Sequence, residues 1–350
     1  MKIFECDNCG YPLYFENQSC EKCSHLSGYS DLHHGMKTFT SVNGNLKSDR
    51  DGEIFKYCRN SVSGVCNWII PFKEEREYCL ACSLNRIIPD LSIQENTEKW
   101  QKLENAKHRL VYQLQRLELP ISPRSSDVNK GLCFDFVAKQ GNPKVMTGHN
   151  NGIITIVLSE ADTVHREYVK KQLSEPYRTL IGHFRHEVGH YYWSLLVSGN
   201  QTTLSEFREV FGDERTDYNQ SLNNHYQFGA TSNWQESYIS QYATSHPWED
   251  WAETWAHYLH IMDMTETSYF FGVEVNPNVK DQSFKGKVNF DPYEIMDFNK
   301  IYKEWAPISL VINSLNRSMG VPDMYPFVVS QNVIQKMNFI HNLLTQLKRE

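Results

Sequence analysis

The chain has 350 residues, of which 40% are hydrophobic, 13% aromatic and 22% charged, and its formal net charge at pH 7 is −7. This length exceeds one average domain, and the composition excludes wholesale disorder. Phosphate-backbone binding needs clustered Lys and Arg, so the negative balance argues against a general nucleic-acid-binding protein. The sequence has no apolar run near the roughly 20 residues that cross a bilayer and opens without a secretory signal pattern. We therefore expect a cytoplasmic protein without a membrane segment.

Paired cysteines mark the N-terminal region. Eight of the nine cysteines precede residue 83, and six of them form Cys-x-x-Cys pairs. Two thiolates two residues apart can bind one ion from a tight turn, and two such pairs complete a tetrahedral site with no position for substrate. We predict a double zinc ribbon with two structural zinc ions. The first site would use Cys6, Cys9, Cys20 and Cys23, and the second would use Cys58, Cys66, Cys79 and Cys82.

The second cysteine site is the less regular of the two. The gap between Cys58 and Cys66 is wider than in an ordinary pair, so three nearby histidines stay open as substitute ligands: His25, His33 and His34. A reducing cytoplasm argues against disulfides. The ninth cysteine, Cys133, is expected to be a small core residue.

Periodic apolar residues predict the elements beyond the cysteines. A helix is expected at 97–117, and the prolines of Leu119–Pro123 end it. We therefore predict a ribbon module at 1–92, a connecting helix at 93–120 and a second domain at 121–350. The aliphatic run Ile153–Leu158 predicts a strand. Further helical patterns cover Pro176 to Val197, Leu204 to Leu222, a segment opening at Ser245, Tyr293 to Leu315, and Ser330 to Leu347.

The Pro176 segment contains the pentapeptide His-Glu-Val-Gly-His. Helical residues four apart share one face, so His186 and His190 can bind one zinc ion, while Glu187 can reach the attacking water. Apolar neighbours bury the motif, and buried His and Glu need partners or a metal. On this reading Glu187 is general base and then general acid in hydrolysis.

The third ligand decides the class of metal site. A metzincin would carry glycine and histidine where this chain has Trp193 and Leu196, which excludes that class. Two downstream segments can supply a carboxylate, and the first offers four candidates: Glu209, Asp213, Glu214 and Asp217. The second offers Glu249 and Glu253 among tryptophans, where buried carboxylates demand a counter-charge. We choose Glu249 as ligand and Glu253 as acceptor for an imidazole N–H.

These motifs resemble known families. His-Glu-Val-Gly-His followed far downstream by Glu-Asp-Trp-Ala-Glu is similar to gluzincin peptidases of the lethal-factor type. The resemblance implies a zincin-like helical domain with a small sheet, and a tyrosine seven residues before the ligand, here Tyr242, that donates to the oxyanion. It also implies an edge strand that pairs with substrate, for which Ile153–Leu158 is the candidate. An internal strand, paired on both sides, is the alternative for that run.

A second resemblance covers nearly the whole chain, to bacterial zinc-ribbon-containing zinc-binding metallopeptidases. It rests on Cys-Asp-Asn-Cys-Gly, Glu-Pro-Tyr-Arg-Thr-Leu-Ile-Gly-His-Phe-Arg-His-Glu-Val-Gly-His, Phe-Gly-Asp-Glu-Arg-Thr-Asp-Tyr and His-Pro-Trp-Glu-Asp-Trp-Ala-Glu. We therefore expect an α+β metallopeptidase with one catalytic and two structural zinc ions, acting on a peptide or protein. The ribbons are expected to bind a protein partner. The alternative is a ribbon-based interaction protein, binding protein or nucleic acid, whose second domain is only a scaffold.

Overall fold

The structure is a computed structural model that describes residues 1–42, 44–138, 146–172 and 179–349, apart from the side chains at 169, 171 and 172. The chain divides into two units, Met1–His165 and Arg166–Glu350. The first unit holds all the cysteines, and the second holds the His-Glu-Val-Gly-His segment. The predicted module borders at residues 92 and 120 both fall within the first unit and remain predictions.

The first four cysteines lie on two turns of the same construction. Strands β1 (Phe4–Glu5) and β2 (Pro12–Leu13) pair antiparallel around the first turn. In each turn the residue after the second cysteine donates its N–H to the carbonyl of the first cysteine, from Gly10 to Cys6 and from Ser24 to Cys20, both at 2.8 Å. Gly10 and Ser24 both adopt positive φ. The Cys-x-x-Cys spacing thus folds as two matching metal-binding turns.

A small closed barrel follows the first cysteine turns. Its strands are β3 (Leu26–Ser30), β4 (Gly35–Val42), β5 (Asn45–Ser48), β6 (Ile54–Tyr57) and β7 (Trp68–Pro71). Neighbours pair antiparallel, and a parallel pairing of β3 with β7 closes the barrel. Phe39, Leu46, Phe55 and Ile69 fill its core. No pattern in the sequence predicted this barrel.

The barrel brings the second group of cysteines together. Cys58 follows β6, Cys66 precedes β7, Cys79 caps the short helix α1 (Leu80–Ser83), and Cys82 lies inside that helix. The wide gap between Cys58 and Cys66 is the connection between two neighbouring barrel strands. Helix α2 (Gln94–Arg116) occupies nearly the range predicted for the connecting helix.

A four-stranded sheet completes the first unit and corrects one expectation. Its order is β10 (Gly148–Asn150), β11 (Ile153–Val157), β9 (Cys133–Val137) and β8 (Asn85–Ile87). Strand β11 pairs antiparallel with β10 and parallel with β9. The proposed substrate-binding edge at Ile153–Leu158 is therefore wrong, because both edges of this strand are already hydrogen bonded within the sheet. Cys133 is buried, as expected.

The second unit is mainly helical. Helix α3 (Thr163–Gln172) begins at the end of the first unit. It is followed by α4 (Leu180–Leu196), α5 (Gln201–Phe211), α6 (Tyr218–Phe228), α7 (Pro247–Phe270), the hairpin of β12 (Glu274–Val275) and β13 (Gly286–Lys287), α8 (Phe298–Ser318) and α9 (Gln331–Leu347). The predicted α+β class, a cysteine-rich ribbon region followed by a mainly helical domain, is confirmed.

Two predicted helices differ in their bounds. The predicted start at Pro176 lies outside the described residues, and α4 begins at Leu180 with the Thr179 hydroxyl accepting from Gly182 N at 3.1 Å. The pattern at 204–222 is two helices rather than one. Gly212, with φ of 101°, ends α5 in a conformation that a side chain would strain, and α6 starts six residues later. None of the described helices combines the length and hydropathy needed to span a bilayer.

Close packing of α4 against α7 positions the site. A Cβ on Gly189 would lie 3.2 Å from Ala252 Cα and 3.2 Å from the Trp255 ring. Trp251 donates from Nε1 to the Gly189 carbonyl at 2.8 Å, so the absence of a side chain at 189 lets both contacts form. These contacts place the two histidines of α4 opposite the acidic residues of α7.

Candidate metal centre

Three predicted ligands meet between α4 and α7. The histidines lie one turn apart on α4, and Glu249 lies in the first turn of α7. The Nε2 atoms of His186 and His190 are 3.3 Å apart. Glu249 Oε2 lies 3.1 Å from Nε2 of His186 and 3.5 Å from Nε2 of His190. The structure therefore brings together one atom from each of the three residues.

The surroundings of these atoms test whether a cation fits. His186 Nδ1 lies 2.7 Å from Glu253 Oε1, and because a carboxylate can only accept, the ring donates from Nδ1. When the ring is neutral, an Nε2 lone pair therefore faces Glu249 Oε2. That oxygen is buried and accepts no well-aligned hydrogen bond from the described residues. Lone pairs that converge at this range repel unless a cation lies among them, and two imidazoles with one carboxylate are ligands that zinc favours. The residues fit zinc.

The charges around the centre favour a proton on His186, which is one of the residues that the metal would bind. Burial lowers the pKa of His186, but the carboxylates of Glu249 and Glu253 outweigh burial and raise it well above its usual value. Burial raises the pKa of Glu249, yet His190 and His186 hold it well below its usual range. Zinc and protons therefore compete for this centre, as expected where ligands must be deprotonated.

Glu253 orients His186, and its own position is fixed. Its second oxygen, Oε2, accepts from the Ser240 hydroxyl at 2.6 Å, and Ser240 Oγ also accepts from Ala243 N at 3.1 Å. Burial raises the pKa of Glu253, but the hydrogen bond and charge of His186, together with His257 and the Ser240 hydroxyl, outweigh burial and lower it to about 2. Glu253 therefore stays an acceptor over the whole neutral range. The sequence analysis did not identify Ser240, since no motif marks a lone serine.

The two predicted catalytic residues are neighbours of His186, Glu187 along the chain and Tyr242 in space. Glu187 is half-buried, directly after His186 on α4. Its negative charge contributes to raising the pKa of Tyr218, after burial and Glu249. The Tyr242 ring centroid lies 6.0 Å from that of His186, on a 3₁₀ turn over Tyr242–Thr244. Burial, with the charge of Glu249, raises the pKa of Tyr242, so its phenol is a protonated donor at neutral pH.

The competing carboxylates have other roles. Glu214 pairs with Arg208 at 2.5 Å, and Asp213 pairs with Arg215 at 2.7 Å. The Asp217 side chain accepts from Gln220 N and caps α6, and Glu209 is exposed on α5. This segment instead contributes Tyr218, whose hydroxyl donates to Glu249 Oε1 at 2.7 Å. No motif or spacing in the sequence marks Tyr218 as a partner of Glu249.

The eight predicted cysteine ligands form two groups of four. In the first group Cys6 Sγ lies 3.6 Å from Cys23 Sγ, and Cys9 Sγ lies 3.6 Å from Cys20 Sγ. In the second, Cys66 Sγ and Cys79 Sγ are 3.8 Å apart. Sulfurs bound tetrahedrally to zinc at ~2.3 Å would lie ~3.8 Å apart, so both groups fit one ion each.

The histidines held open as substitute ligands have other partners. His25 Nδ1 lies 2.7 Å from Asp49 Oδ2, and His33 Nδ1 lies 2.9 Å from Ser30 Oγ. His34 belongs to neither group of converging ligand atoms in the described residues. The second group therefore needs no histidine.

Comparison with known proteins gives three findings. A family model described as "Putative zinc-binding metallo-peptidase" matches residues 96–343, and a zinc-ribbon domain model matches residues 3–93. The chain is 39% identical over 347 residues to uncharacterized protein Rv2568c of Mycobacterium tuberculosis and to uncharacterized protein Mb2598c of Mycobacterium bovis. Each alignment covers 99% of this chain and 96% of the relative. No solved structure matches the chain.

Proposed function

The chain belongs to this metallo-peptidase family, and on that premise we propose that it hydrolyses peptide bonds at a zinc centre formed by His186, His190 and Glu249. The resemblance to zinc-ribbon-containing zinc-binding metallopeptidases is thereby confirmed at the level of the family. The observation that carries the proposal is the convergence of three ligand atoms from α4 and α7, with a buried carboxylate oxygen that no well-aligned hydrogen bond satisfies.

Three protein ligands suit a hydrolytic rather than a structural ion. Zinc bound there would supply Lewis acidity, lowering the pKa of a water molecule and polarising the scissile carbonyl, because one coordination position stays open. The cysteine groups offer four ligands each and leave no such position, so we assign them structural roles. The substrate class that follows is a peptide or protein.

Glu187 would transfer the proton of the attacking water, and Tyr242 would stabilise the negative charge that develops on the substrate. Glu187 accepts the proton of the attacking water and then delivers it to the leaving amine, as its place beside His186 on α4 allows. Tyr242 donates a hydrogen bond to the carbonyl oxygen, which becomes negatively charged when water attacks the carbonyl carbon. A donor aimed at developing charge contributes about 10²–10³-fold in rate. Glu253 keeps the His186 ring oriented throughout.

Substitution of Glu187 tests the proposed general base. Glu187→Gln keeps the size of the side chain but removes the base, so we expect zinc content to stay unchanged and cleavage to fall by about 10²–10⁴-fold. The measurement is the appearance of new peptide termini in a proteome-derived peptide mixture, followed by mass spectrometry, alongside zinc analysis. Glu206→Gln, at an exposed position on α5, is the matched control and should cleave like the parent.

Two results would contradict the proposal. Equal cleavage by parent and Glu187→Gln would remove the general base from the account. No difference in termini between parent and His186→Ala would mean that this centre cleaves no peptide in the mixture, as the scaffold alternative requires.

A further inference from the structure

The two carboxylate oxygens of Glu249 have different partners. Tyr218 Oη donates to Oε1 at 2.7 Å, while Oε2 faces the Nε2 atoms of both histidines. Glu249 is only 1% exposed, so solvent does not provide a competing donor for Oε1. The carboxylate therefore has one oxygen held by the protein and one turned to the metal centre.

The ring of Tyr218 is itself fixed in place. Its centroid lies 5.1 Å from that of His246 and 6.0 Å from that of Trp248, in edge-on and tilted contacts. His246 Nδ1 accepts from Trp248 N at 3.1 Å, so the neutral ring carries its proton on Nε2 and donates to Thr216 O at 3.2 Å. This last hydrogen bond ties the connection before α6 to the first turn of α7, where Glu249 lies.

We propose that Tyr218 is a positioning residue that holds Glu249 as a ligand through one oxygen only. A carboxylate can bind an ion through one or both oxygens. With Oε1 held by the Tyr218 hydroxyl, only Oε2 remains to bind, and a coordination position is kept for water and substrate. This inference rests on the proposed metal centre and gives a role in it to the Phe-Gly-Asp-Glu-Arg-Thr-Asp-Tyr segment.

A double-mutant cycle on zinc affinity tests the inference. Tyr218→Phe removes only the hydroxyl and keeps the ring between His246 and Trp248. The affinity of the third zinc ion is measured by competition with a chelator too weak to strip the cysteine sites, on the full chain. We expect about tenfold or greater weakening in Tyr218→Phe, as is usual when the partner of a ligand is lost. Tyr226→Phe, at a 63% exposed tyrosine on the same helix, should stay within twofold of the parent.

The cycle separates positioning from general damage to the fold. In a Glu249→Ala background, adding Tyr218→Phe should cause no further loss, because the hydroxyl acts through a carboxylate that is gone. An equal loss in both backgrounds would overturn the inference, as would parent-like affinity in Tyr218→Phe. A parent chain that binds no third ion would instead contradict the proposed centre, so the two failures are distinguishable.

The visible spectrum of cobalt bound at this centre reports how many oxygens of Glu249 coordinate the ion. Cobalt is loaded into this centre while zinc stays on the cysteines, and the spectrum of identically treated His190→Ala protein is subtracted. The parent should show the intense visible band of a four-coordinate ion. Tyr218→Phe should show the several-fold weaker band of a five-coordinate ion, since both oxygens of Glu249 can then bind. Equal band intensity in the two proteins would overturn the inference.

Discussion

His186 is held from two sides at the residue scale. Nδ1 donates to Glu253, which is fixed by Ser240, and Nε2 faces Glu249, which is fixed by Tyr218. A ligand ring whose other nitrogen is occupied cannot rotate away without breaking a charge-assisted hydrogen bond. The centre is therefore organised before an ion arrives.

Removing the carboxylate that accepts from His186 Nδ1 should weaken zinc binding. We predict that Glu253→Ala weakens zinc binding at this centre by about 10–100-fold, because the His186 ring loses the acceptor that sets its tautomer. Glu209→Ala is the control, since this exposed glutamate was a competing ligand candidate and should leave the affinity unchanged. Chelator competition measures both. Weaker binding in Glu209→Ala with parent-like binding in Glu253→Ala would contradict both the role given to Glu253 and the exclusion of Glu209 as a ligand.

Spacing explains which site residues the sequence could predict. His186 and His190, and Glu249 and Glu253, are pairs four apart on single helices, so each pair shares a face before any tertiary contact is known. Ser240 reaches the site from the connection between α6 and α7, and Tyr218 reaches it from the first residue of α6, directly after the connection from α5. Their contacts depend on how those connections fold back, which no periodicity in the sequence encodes.

The crossing of α4 and α7 is the central contact at the element scale. Gly189 and Ala252 allow the backbones to approach closely, and Tyr192 stacks on Trp255 with ring centroids 5.3 Å apart. The ligands lie on both helices, so the distance between the helices sets the size of the metal centre. A change in that distance would therefore move the ligands relative to the ion.

A methyl group at Gly189 should push the two helices apart. We predict that Gly189→Ala lowers the free energy of unfolding by about 1–3 kcal/mol, because the added Cβ meets Ala252 Cα and the Trp255 ring at 3.2 Å. Zinc affinity at the centre should fall with it. Gly199→Ala, where a Cβ meets nothing within 4 Å, is the matched control. Denaturant unfolding measures both variants, and equal stability of the two would contradict this view of the crossing.

Sequence patterns predicted helices better than strands. Helices α2, α7 and α9 lie close to their predicted ranges because long apolar periodicity, the Pro247 start and the Ser330 cap are local signals. The barrel has strands of four to eight residues, and β3 closes on β7 by pairing the distant residues Tyr29 and Trp68. Such pairing is non-local, so the cysteines were predicted without the framework that carries them.

The aliphatic run in β11 shows a second limit of sequence reasoning. Six residues with little alternation indicate a strand, but they do not say whether its edges are free. Pairing with β9 and β10 decides that question, and both partners lie at other positions of the chain. An apolar strand without a polar face is typical of a sheet interior.

At the scale of the whole molecule, the proposed structural and catalytic metal sites lie in different units of the chain. The first unit holds two groups of four buried or half-buried cysteines, and the second holds the proposed centre with three ligands. Four ligands close a site and three leave it open, so ligand number alone distinguishes the two roles. Each unit is expected to retain its own metal when the other is stripped.

The number of zinc ions per chain tests the central claim most directly. Elemental analysis of protein purified without chelator should give three ions for the parent and two for the His186→Ala/His190→Ala variant, because only the centre between α4 and α7 loses its ligands. Two ions in both proteins would contradict the account, since the zinc would then reside on the cysteines alone and the helical unit would have no metal with which to hydrolyse a peptide.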